Sequence, residues 1–490
     1  MAGGMPAEFN TISLCDGLTI GHEGMRYVLP SREIICDSVE LTVQAHRYDA
    51  MVLIGSCDKI IPALLMAAAR LDLPAILVAG GPMYAGYIPQ IGMRWGEAAQ
   101  DELAARFQRG EFTGDSIEEG AKCFYPSAGA CSGMGTANTM ACLTEAVGMS
   151  LPGDGTAHAT TAKKERLAVE AGIAVMALLE QGLTPSKIMT ESALDNMLRV
   201  NMAIGGSLNT VLHLPAIAHE LGRTLEWQRF DSISRETPHL CCIEPSGPAT
   251  LAELEAAGGI PAVMQRLGSK LDPDCITVTG RSVGENVATA EIFDEEVIRS
   301  VDAPVHAYGG IAVLQGSLAP AGAVIKQVAV DESLWKFQGP AKVFDSEEEA
   351  TEAVFAKGIE PGDVVVIRYE GPKGGPGMRE MQMFRALLKF GGLDNQVYLI
   401  TDGRFSGYTG GACIGYLSPE AAEGGPLALI RDGDVIAIDV EARKLDLKLD
   451  DDELKKRAKE WKRPSPRVTS GYLARYAERA TSAATGAIVR

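Results

Sequence analysis

The sequence predicts an α/β domain with a mostly parallel sheet, followed by a β-rich domain. Three observations predict this organisation. The chain has 490 residues, more than a single hydrophobic core usually serves. In the first third, short apolar runs alternate with stretches of helical period, which is typical of βαβ units. After about residue 300, short β-rich runs lie between glycine and proline turns, so we expect domains at 1–302 and 303–490.

The first domain is predicted to begin with strand 50–55, helix 60–71 and strand 74–79, the last ending at Gly80-Gly81-Pro82. Helical periods then predict helices at 163–181, 185–197 and 207–220. The predicted strands of the second domain are 311–314, 322–328, 363–368, 397–400 and 434–440. A mixed acidic and basic stretch at 450–462 predicts a solvated helix.

Composition and charge exclude several classes of protein. The formal net charge is −19 and the basic residues are scattered, so we expect no nucleic-acid partner. An anionic substrate would then need a local positive site, which a bound metal ion could supply. The sequence contains no run of about eighteen apolar residues, so no membrane span is predicted. The first residues lack the pattern of a signal peptide. We therefore expect a cytoplasmic protein, in which the ten cysteines form no disulfides.

Cys57-Asp58-Lys59 comes directly after the first predicted strand. Ligands of parallel sheets collect beyond the C-terminal ends of the strands, so a thiol, a carboxylate and an amine here indicate a site. The alternative is a capped turn, with Asp58 as the N-cap of the helix from Ile60, Cys57 buried and Lys59 solvated.

Cys131 lies among glycines and other small residues in the segment 128–138. Small residues let the backbone approach a bulky group closely, and Thr136 and Asn138 are credible caps for the helix that follows. A thiolate near a helix N-terminus has a lowered pKa, which suits a metal ligand or a nucleophile. The alternative is a helix-entry loop with a buried cysteine.

Three further segments carry candidate side chains. Asp16-Gly17 suits either a hard cation such as Mg²⁺ or an ordinary turn. Glu380 follows a glycine- and proline-rich loop and falls in the first turn of a predicted helix through Leu388, as a metal ligand or as a favourable helix-dipole charge. Ser406 follows strand 397–400 and could be a nucleophile or a base. Arg404 occupies the first glycine position of a Gly-x-Ser-x-Gly elbow, so a serine hydrolase is not favoured.

Taken together and in this order, these segments resemble the dihydroxy-acid dehydratase and phosphogluconate dehydratase family, closest to dihydroxy-acid dehydratase. The resemblance runs from about residue 6 to the C-terminus. The segments that carry it are Cys15-Asp16-Gly17, Leu29-Pro30-Ser31-Arg32-Glu33, Cys57-Asp58-Lys59, 129–140, 205–210, 369–381 and 400–407.

The resemblance implies an iron-sulfur cluster, 2Fe-2S rather than 4Fe-4S, beside a Mg²⁺ ion. It implies a C-terminal β-barrel-like domain and a homodimer or homotetramer. The matching positions are Cys57 and Cys131 for the cluster, Asp16, Asp58, Glu380 and a carbamylated Lys59 for Mg²⁺, and Ser406 for the general base. Such an enzyme removes water from a small 2,3-dihydroxy acid and leaves a 2-oxo acid.

Two departures from the family pattern affect these expectations. Members that hold the cluster with three cysteines take one from an N-terminal segment that this sequence does not show, and Cys15 or Cys123 would be a replacement. On that basis the 490-residue form is expected to bind iron substoichiometrically and to have little activity. The bulky Tyr408 after Ser406-Gly407 is expected to alter the substrate pocket.

The expected substrates are 2,3-dihydroxyisovalerate and 2,3-dihydroxy-3-methylvalerate, in valine and isoleucine synthesis. The segments 29–33 and 205–210 favour this branch of the family. An aldonate or phosphogluconate dehydratase is the alternative within the class. A truncated, cofactor-poor, non-catalytic relative is the alternative from another class.

Overall fold

In the computed structural model the chain forms two compact units, each assembled from three segments. Unit 1 comprises Met1–Thr11, Asp37–Gly206 and Glu236–Gly309; unit 2 comprises Ile12–Cys36, Ser207–Arg235 and Gly310–Arg490. The structure describes residues 2–96, 99–100, 102–103, 106, 109–111 and 114–490. The domain division at residue 302 stays a proposal.

The described helices, in chain order, are α1 Val28–His46, α2 Ile60–Leu71, α3 Gly114–Ala121, α4 Thr136–Ala146, α5 Ala162–Gln181, α6 Pro185–Ile188, α7 Glu191–Ala203, α8 Thr210–Glu220, α9 Trp227–Glu236, α10 Leu251–Ala256, α11 Gly259–Leu267, α12 Val283–Val287, α13 Glu347–Phe355, α14 Gln382–Phe390, α15 Asp451–Glu460 and α16 Gly471–Arg479. The strands are β1 Met51–Gly55, β2 Ala75–Ala79, β3 Tyr87–Ile88, β4 Met93–Arg94, β5 Ala312–Leu314, β6 Gly322–Ile325, β7 Lys336–Phe344, β8 Val364–Ile367, β9 Tyr398–Thr401, β10 Cys413–Ser418, β11 Val435–Asp439 and β12 Lys444–Leu447.

Unit 1 is rich in helices and contains a small parallel sheet. β1 and β2 pair in parallel from Met51↔Ala75 to Gly55↔Ala79, with α2 as the crossover between them. α2 is buried along its length except at Arg70, and all five residues of β2 are buried. Helix α5 packs against the two strands. This is the βαβ arrangement that the alternation of apolar runs predicts.

Unit 2 is organised around one eight-stranded sheet, in the order β12-β11-β7-β8-β9-β10-β6-β5. The four central strands β7, β8, β9 and β10 are parallel, and the flanking pairs are antiparallel. The two ends of the sheet also meet. Gln315, just after β5, donates its N–H to the carbonyl of Arg443 at 2.9 Å and accepts from Leu445 of β12 at 3.1 Å. These bonds nearly close the sheet into a barrel.

The structure confirms the predicted fold class, an α/β first part and a barrel-like second part. Three predicted elements differ by three residues or more. The helix predicted at 207–220 begins at Thr210. The helix predicted at 185–197 is two helices, because the Thr190 hydroxyl accepts the N–H of Ala193 at 3.2 Å and begins α7 anew. The strand predicted at 322–328 ends at Ile325, after which Lys326 turns into a short 3₁₀ turn over Gln327–Ala329.

Two expectations about the chain as a whole can also be compared with the structure. In the parts of the chain that the structure describes, no helix is both long and apolar enough to cross a bilayer. The ten cysteines all lie in the described part of the chain, and no disulfide joins any two of them.

Candidate active site

Cys57, Asp58 and Lys59 lie immediately beyond the C-terminal end of β1 in unit 1. Cys57 is half-buried and has a φ of +74°, a strained left-handed conformation for a residue with a side chain. Lys59 is fully buried, and its Nζ lies 3.0 Å from Oδ2 of Asp58. The alternative of a capped turn, with Asp58 as the N-cap of α2 and Lys59 solvated, is wrong. Lys59 occupies the N-cap position, and the Asp58 carboxylate faces the ammonium group.

The loop that carries Cys131 is attached to the same end of the sheet. Ala130 donates its N–H to the Gly81 carbonyl at 2.9 Å and accepts from Met83 at 2.7 Å, where the chain leaves β2. A Cβ on Gly129, whose φ is +136°, would lie 2.4 Å from the Met83 nitrogen, so this close approach requires glycine. Cys131 is exposed. The glycine-rich pattern therefore serves backbone approach, as the sequence indicates.

The Asn138 side chain forms hydrogen bonds to the loop that carries Cys131. Its buried amide nitrogen donates to the carbonyl of Cys131 and, at 2.7 Å, to that of Gly133. The prediction that Thr136 and Asn138 cap the helix is wrong. The N-cap position of α4 is Gly135, and the Asn138 side chain donates to loop carbonyls instead of accepting a helix N–H. A side chain that satisfies two carbonyls makes the loop rigid where Cys131 leaves it.

The buried cysteines contrast with these two thiols. Burial raises the pKa of the Cys142 and Cys241 thiols well above the usual range, and that of Cys413 to about 12. They therefore stay protonated and unreactive at neutral pH. Cys57 and Cys131 lie on loops at the end of the sheet, where a thiolate can reach a ligand.

In unit 2, a buried arginine joins two of the predicted carboxylates. The Arg404 guanidinium is fully buried; one terminal nitrogen donates to Oε2 of Glu380, and the other lies 3.1 Å from Oδ2 of Asp16. Its Nε donates to the carbonyl of Met378 at 2.9 Å. All three nitrogens of the planar group are thus used, an arrangement that the single nitrogen of a lysine could not reproduce.

Local backbone pairing places Glu380 and Arg404 opposite each other. Arg404 donates its N–H to the Arg379 carbonyl at 3.1 Å, and Met381 donates back to Arg404 at 3.0 Å. The prediction that Glu380 lies in the first helical turn is wrong, because α14 begins at Gln382. Glu380 is instead in this short bridge, where pairing with the Arg404 loop rather than the helix dipole orients its carboxylate.

Two buried carboxylates shape the loop before Glu380. Asp402 accepts the N–H groups of Tyr369, Glu370 and Ala421 at 2.8–3.2 Å. Burial, with repulsion from Glu370, raises the pKa of Asp402 to about 6 in spite of these bonds. Glu420 accepts the N–H groups of residues 373 and 374, and burial together with the nearby Asp402 raises the pKa of Glu420 to about 8.

Glu370 itself is fully buried between two arginines. Arg26 Nη1 lies 2.9 Å from one carboxylate oxygen and Arg467 Nη1 lies 2.6 Å from the other. A Cβ on Gly377 would lie 1.9 Å from the Arg26 carbonyl, so the loop can pass this segment only as glycine. The strained, glycine-rich loop predicted here is therefore held by buried charge on both sides.

Ser406 is half-buried on the loop after β9, two residues beyond Arg404. Its Oγ accepts the N–H of Tyr408 at 3.2 Å, and its carbonyl accepts that of Thr409 at 3.0 Å. The preceding carbonyl, of Phe405, accepts from Asn209 Nδ2 at 3.2 Å and from the Tyr416 hydroxyl at 3.3 Å. The hydroxyl is thus presented by a loop fixed from several directions.

The match with protein-family models decides the family. The model described as dihydroxy-acid/6-phosphogluconate dehydratase N-terminal matches residues 1–286, and the corresponding C-terminal model matches 296–487. The chain belongs to the dihydroxy-acid/6-phosphogluconate dehydratase family. The resemblance stated from the sequence motifs is confirmed.

Relatives of this dehydratase family are similar along the whole chain. "Dihydroxy-acid dehydratase" of Desulfosudis oleivorans is 52% identical over 508 residues, covering 100% of this chain and 89% of the relative. "Dihydroxy-acid dehydratase 1" of Methanosarcina acetivorans is 52% identical over 493 residues, covering 100% and 88%. "Dihydroxy-acid dehydratase" of Caldanaerobacter subterraneus is 50% identical over 492 residues, with the same coverage.

Three side chains of this family member were not singled out for the roles they have in the structure. Arg404 was noted only for excluding a hydrolase elbow, and Asn138 only as a helix cap. Lys326 contacts the Ser406 loop. In the sequence it lies within the predicted strand 322–328, and no motif distinguishes it. The available signal was a cation inside a strand pattern, since buried lysines are rare unless they are paired.

Proposed function

We propose that the chain is a hydro-lyase that removes water from 2,3-dihydroxy carboxylic acids and releases 2-oxo acids. The observation that carries the proposal is the buried Asp16–Arg404–Glu380 arrangement, with the Ser406 hydroxyl two residues from Arg404. It combines oxygen ligands for a hard cation with a candidate base. The names of the relatives favour 2,3-dihydroxyisovalerate and 2,3-dihydroxy-3-methylvalerate, and hence branched-chain amino-acid synthesis.

The residues present fit the cofactors that the family resemblance implies. Soft thiolates suit iron, and Cys57 and Cys131 lie on loops that leave the same end of the unit 1 sheet. Hard oxygens suit Mg²⁺, and Asp16 and Glu380 offer them; a carboxylate can accept a guanidinium bond through one oxygen and bind a cation through the other.

The role of each residue follows from this chemistry. We assign the cluster, as 2Fe-2S, to the two thiols. The Mg²⁺ ligands that we propose are Asp16, Asp58, Glu380 and Lys59 as a carbamate. Lys59 is buried, so a carbamate formed there would be shielded from bulk water, while an uncharged amine would be needed for its formation.

When bound, the metal centres supply Lewis acidity toward the substrate carboxylate and hydroxyl groups. The chain's own residues supply orientation and proton transfer. Arg404 keeps the Asp16 and Glu380 carboxylates at fixed positions, so that no reorganisation is needed as charge develops. Ser406, deprotonated at Oγ, takes the C2 proton, and the C3 hydroxyl leaves with its bonding electrons. The leaving hydroxide takes the proton back from Oγ and departs as water, which restores the base, and the resulting enol tautomerises to the 2-oxo acid.

The proposal is tested with the full chain purified without oxygen. Iron and sulfide are counted, and 2-oxo acid formation is measured over branched 2,3-dihydroxy acids, aldonates and 6-phosphogluconate. We expect substoichiometric iron, and turnover of the branched acids by the fraction of the protein that holds the cluster. Turnover of the sugar acids alone would move the substrate to the other branch of the family, for which the bulky Tyr408 is the first residue to test. A chain that binds iron but turns over no acid in the panel would refute the proposal.

A further inference from the structure

Lys326 is a buried cation that contacts the loop of the proposed base. Only 2% of its surface is exposed. Its Nζ donates to the carbonyl oxygen of Gly407 at 3.0 Å, within unit 2. Gly407 comes directly after Ser406. Removing an ammonium group from water is costly, so its position next to this loop calls for a functional explanation.

The geometry limits how far the charge is from the Ser406 oxygen. Nζ is 3.0 Å from the Gly407 carbonyl oxygen, and Oγ is 3.2 Å from the Tyr408 nitrogen. That oxygen and that nitrogen belong to one peptide group, so Nζ lies within about 9 Å of Oγ. A unit charge at this distance, with an effective dielectric constant near 20, favours an oxyanion by the equivalent of roughly one pKa unit.

Other ionisable groups surround the same loop, and their charges must be considered. They are Asp16, Glu380, Arg385, Asp394, Asp402, Arg404, Tyr408 and Tyr416. Arg404 is paired with two carboxylates, and Arg385 lies 3.1 Å from Asp394. Their fields at Ser406 are therefore reduced by opposite charges. The hydrogen bond to Gly407 directs the Lys326 ammonium at the loop itself.

We propose that Lys326 is a positioning residue for Ser406, whose ammonium group fixes the Gly407 carbonyl and stabilises the deprotonated Ser406 oxygen. The role in turnover rests on the proposed function, in which Ser406 is the base. The electrostatic part does not, because it concerns any acidic group at position 406. In the resting enzyme the hydroxyl proton passes to solvent; in turnover the alkoxide takes the C2 proton.

The first test is independent of turnover. In the full chain, Ser406→Cys introduces a titratable thiol, and the rate of its alkylation by iodoacetamide is followed against pH by mass spectrometry of the peptide. Adding Lys326→Met should raise the half-maximal pH by about one unit. Adding Lys326→Arg, which keeps the charge, should leave it nearly unchanged. Lys336→Met, which removes a lysine at the opposite end of the parallel strands of unit 2, is the control and should cause no shift.

The second test uses turnover with Ser406 intact. The acidic limb of the pH profile of kcat/KM should move upward by about one unit in Lys326→Met and stay in place in Lys326→Arg. A merely structural role would lower the rate equally at all pH values. Lys326→Gln replaces Lys326→Met if that variant does not fold.

The outcomes separate the two proposals. Equal thiol titrations with and without Lys326 would overturn the inference, as would an equal shift from Lys336→Met. The thiol titration could shift on removal of Lys326 although the unsubstituted protein dehydrates none of the acids. That result would refute the proposed function and support the electrostatic role of Lys326.

Discussion

Replacing Arg404 by methionine should destabilise unit 2 more than any substitution of an exposed ion pair. The guanidinium is fully buried, and the side chains of its partners Glu380 and Asp16 are 2% and 10% exposed. Methionine fills similar volume without charge, so the two carboxylates would remain close together in a poorly solvated place. Removing one partner of a buried ion pair costs about 3–5 kcal/mol, since it leaves uncompensated charge.

The expected shift is large enough to measure by thermal unfolding. For a domain of 150–250 residues, 1 kcal/mol moves the midpoint by about 2–4 °C, so Arg404→Met should lower it by roughly 6–20 °C. Tryptophan fluorescence is the suitable probe, because Trp227, Trp335 and Trp461 are in unit 2 and only Trp95 is in unit 1. Arg404→Lys should recover only part of the lost stability. It restores a positive charge, but one ammonium group cannot replace the two terminal nitrogens of the guanidinium.

The control is Arg235→Met, also in unit 2. Arg235 is 50% exposed and lies 2.8 Å from Asp231, so its removal should cost about 0–1 kcal/mol. If Arg404→Met unfolds within a few degrees of Arg235→Met, the buried arrangement does not hold the unit together, and the reasoning from burial is refuted.

Three further predictions concern the base, the metal ligand and a buried carboxyl group. Ser406→Ala should lower kcat by about 10⁴-fold with unchanged cluster absorbance, because it removes the proposed base alone. Glu380→Gln should weaken Mg²⁺ binding, so that excess Mg²⁺ restores part of the activity in a titration of rate against Mg²⁺. In the folded protein the pKa of the Glu420 carboxyl group is raised from 4.5 to about 8, so the protonated group contributes to stability. That contribution is complete below pH 4.5 and is lost as the pH rises through 8. Urea unfolding should therefore show a decline on the order of a few kcal/mol between pH 5 and 8.5 that Glu420→Gln reduces.

Each of these has a control in an exposed or partly exposed residue of the same unit. Ser333→Ala should keep full turnover, and retention of a tenth of the wild-type rate by Ser406→Ala would show that this serine is not the base. Glu441→Gln should leave the Mg²⁺ titration unchanged; a Glu380→Gln variant equally indifferent to Mg²⁺ would remove Glu380 from the metal ligands. Glu352→Gln, at an exposed position of unit 2, should keep the parent's pH slope, and the same slope in Glu420→Gln would contradict the linkage argument.

The start of unit 1 could be predicted from the sequence because its pattern is local. β1 and β2 are continuous apolar runs that end at glycine, and α2 is an apolar run, interrupted by Arg70, that ends before Asp72. Their observed bounds lie within one residue of those expected. Thr190 could not be recognised as the start of a second helix, because threonine is also tolerated inside one and only the hydrogen bond to Ala193 distinguishes the two.

Long-range features could not be predicted in the same way. The hydrogen bonds of Gln315 that nearly close the sheet join it to Arg443 and Leu445, and no local pattern pairs them. The segments Ile12–Cys36 and Ser207–Arg235 belong to unit 2 although the chain around them belongs to unit 1. The composition along the sequence does not indicate that these two segments belong to unit 2.

The site was predicted in its residue types and less well in its supports. Asp16, Glu380 and Ser406 were found through motifs, and their chemical roles stay predictions. Arg404 was visible in the same motif, but its contact with a carboxylate so far away in sequence depends on tertiary structure. Asn138 was assigned to the helix because its spacing fits a cap, whereas the loop carbonyls compete for its amide.

The separation of Asp16 from Arg404 has a consequence for synthesis. The two residues are 388 positions apart. At 5–20 residues per second, a ribosome needs on the order of 20–80 s to make the guanidinium after it has made the carboxylate. During that interval most of unit 1 is translated, and the N-terminal segment of unit 2, Ile12–Cys36, lacks most of the unit to which it belongs. The ion pair is thus necessarily among the late contacts of a nascent chain. A chain stalled just before residue 404 would carry both carboxylates, Asp16 and Glu380, without the arginine that pairs with them.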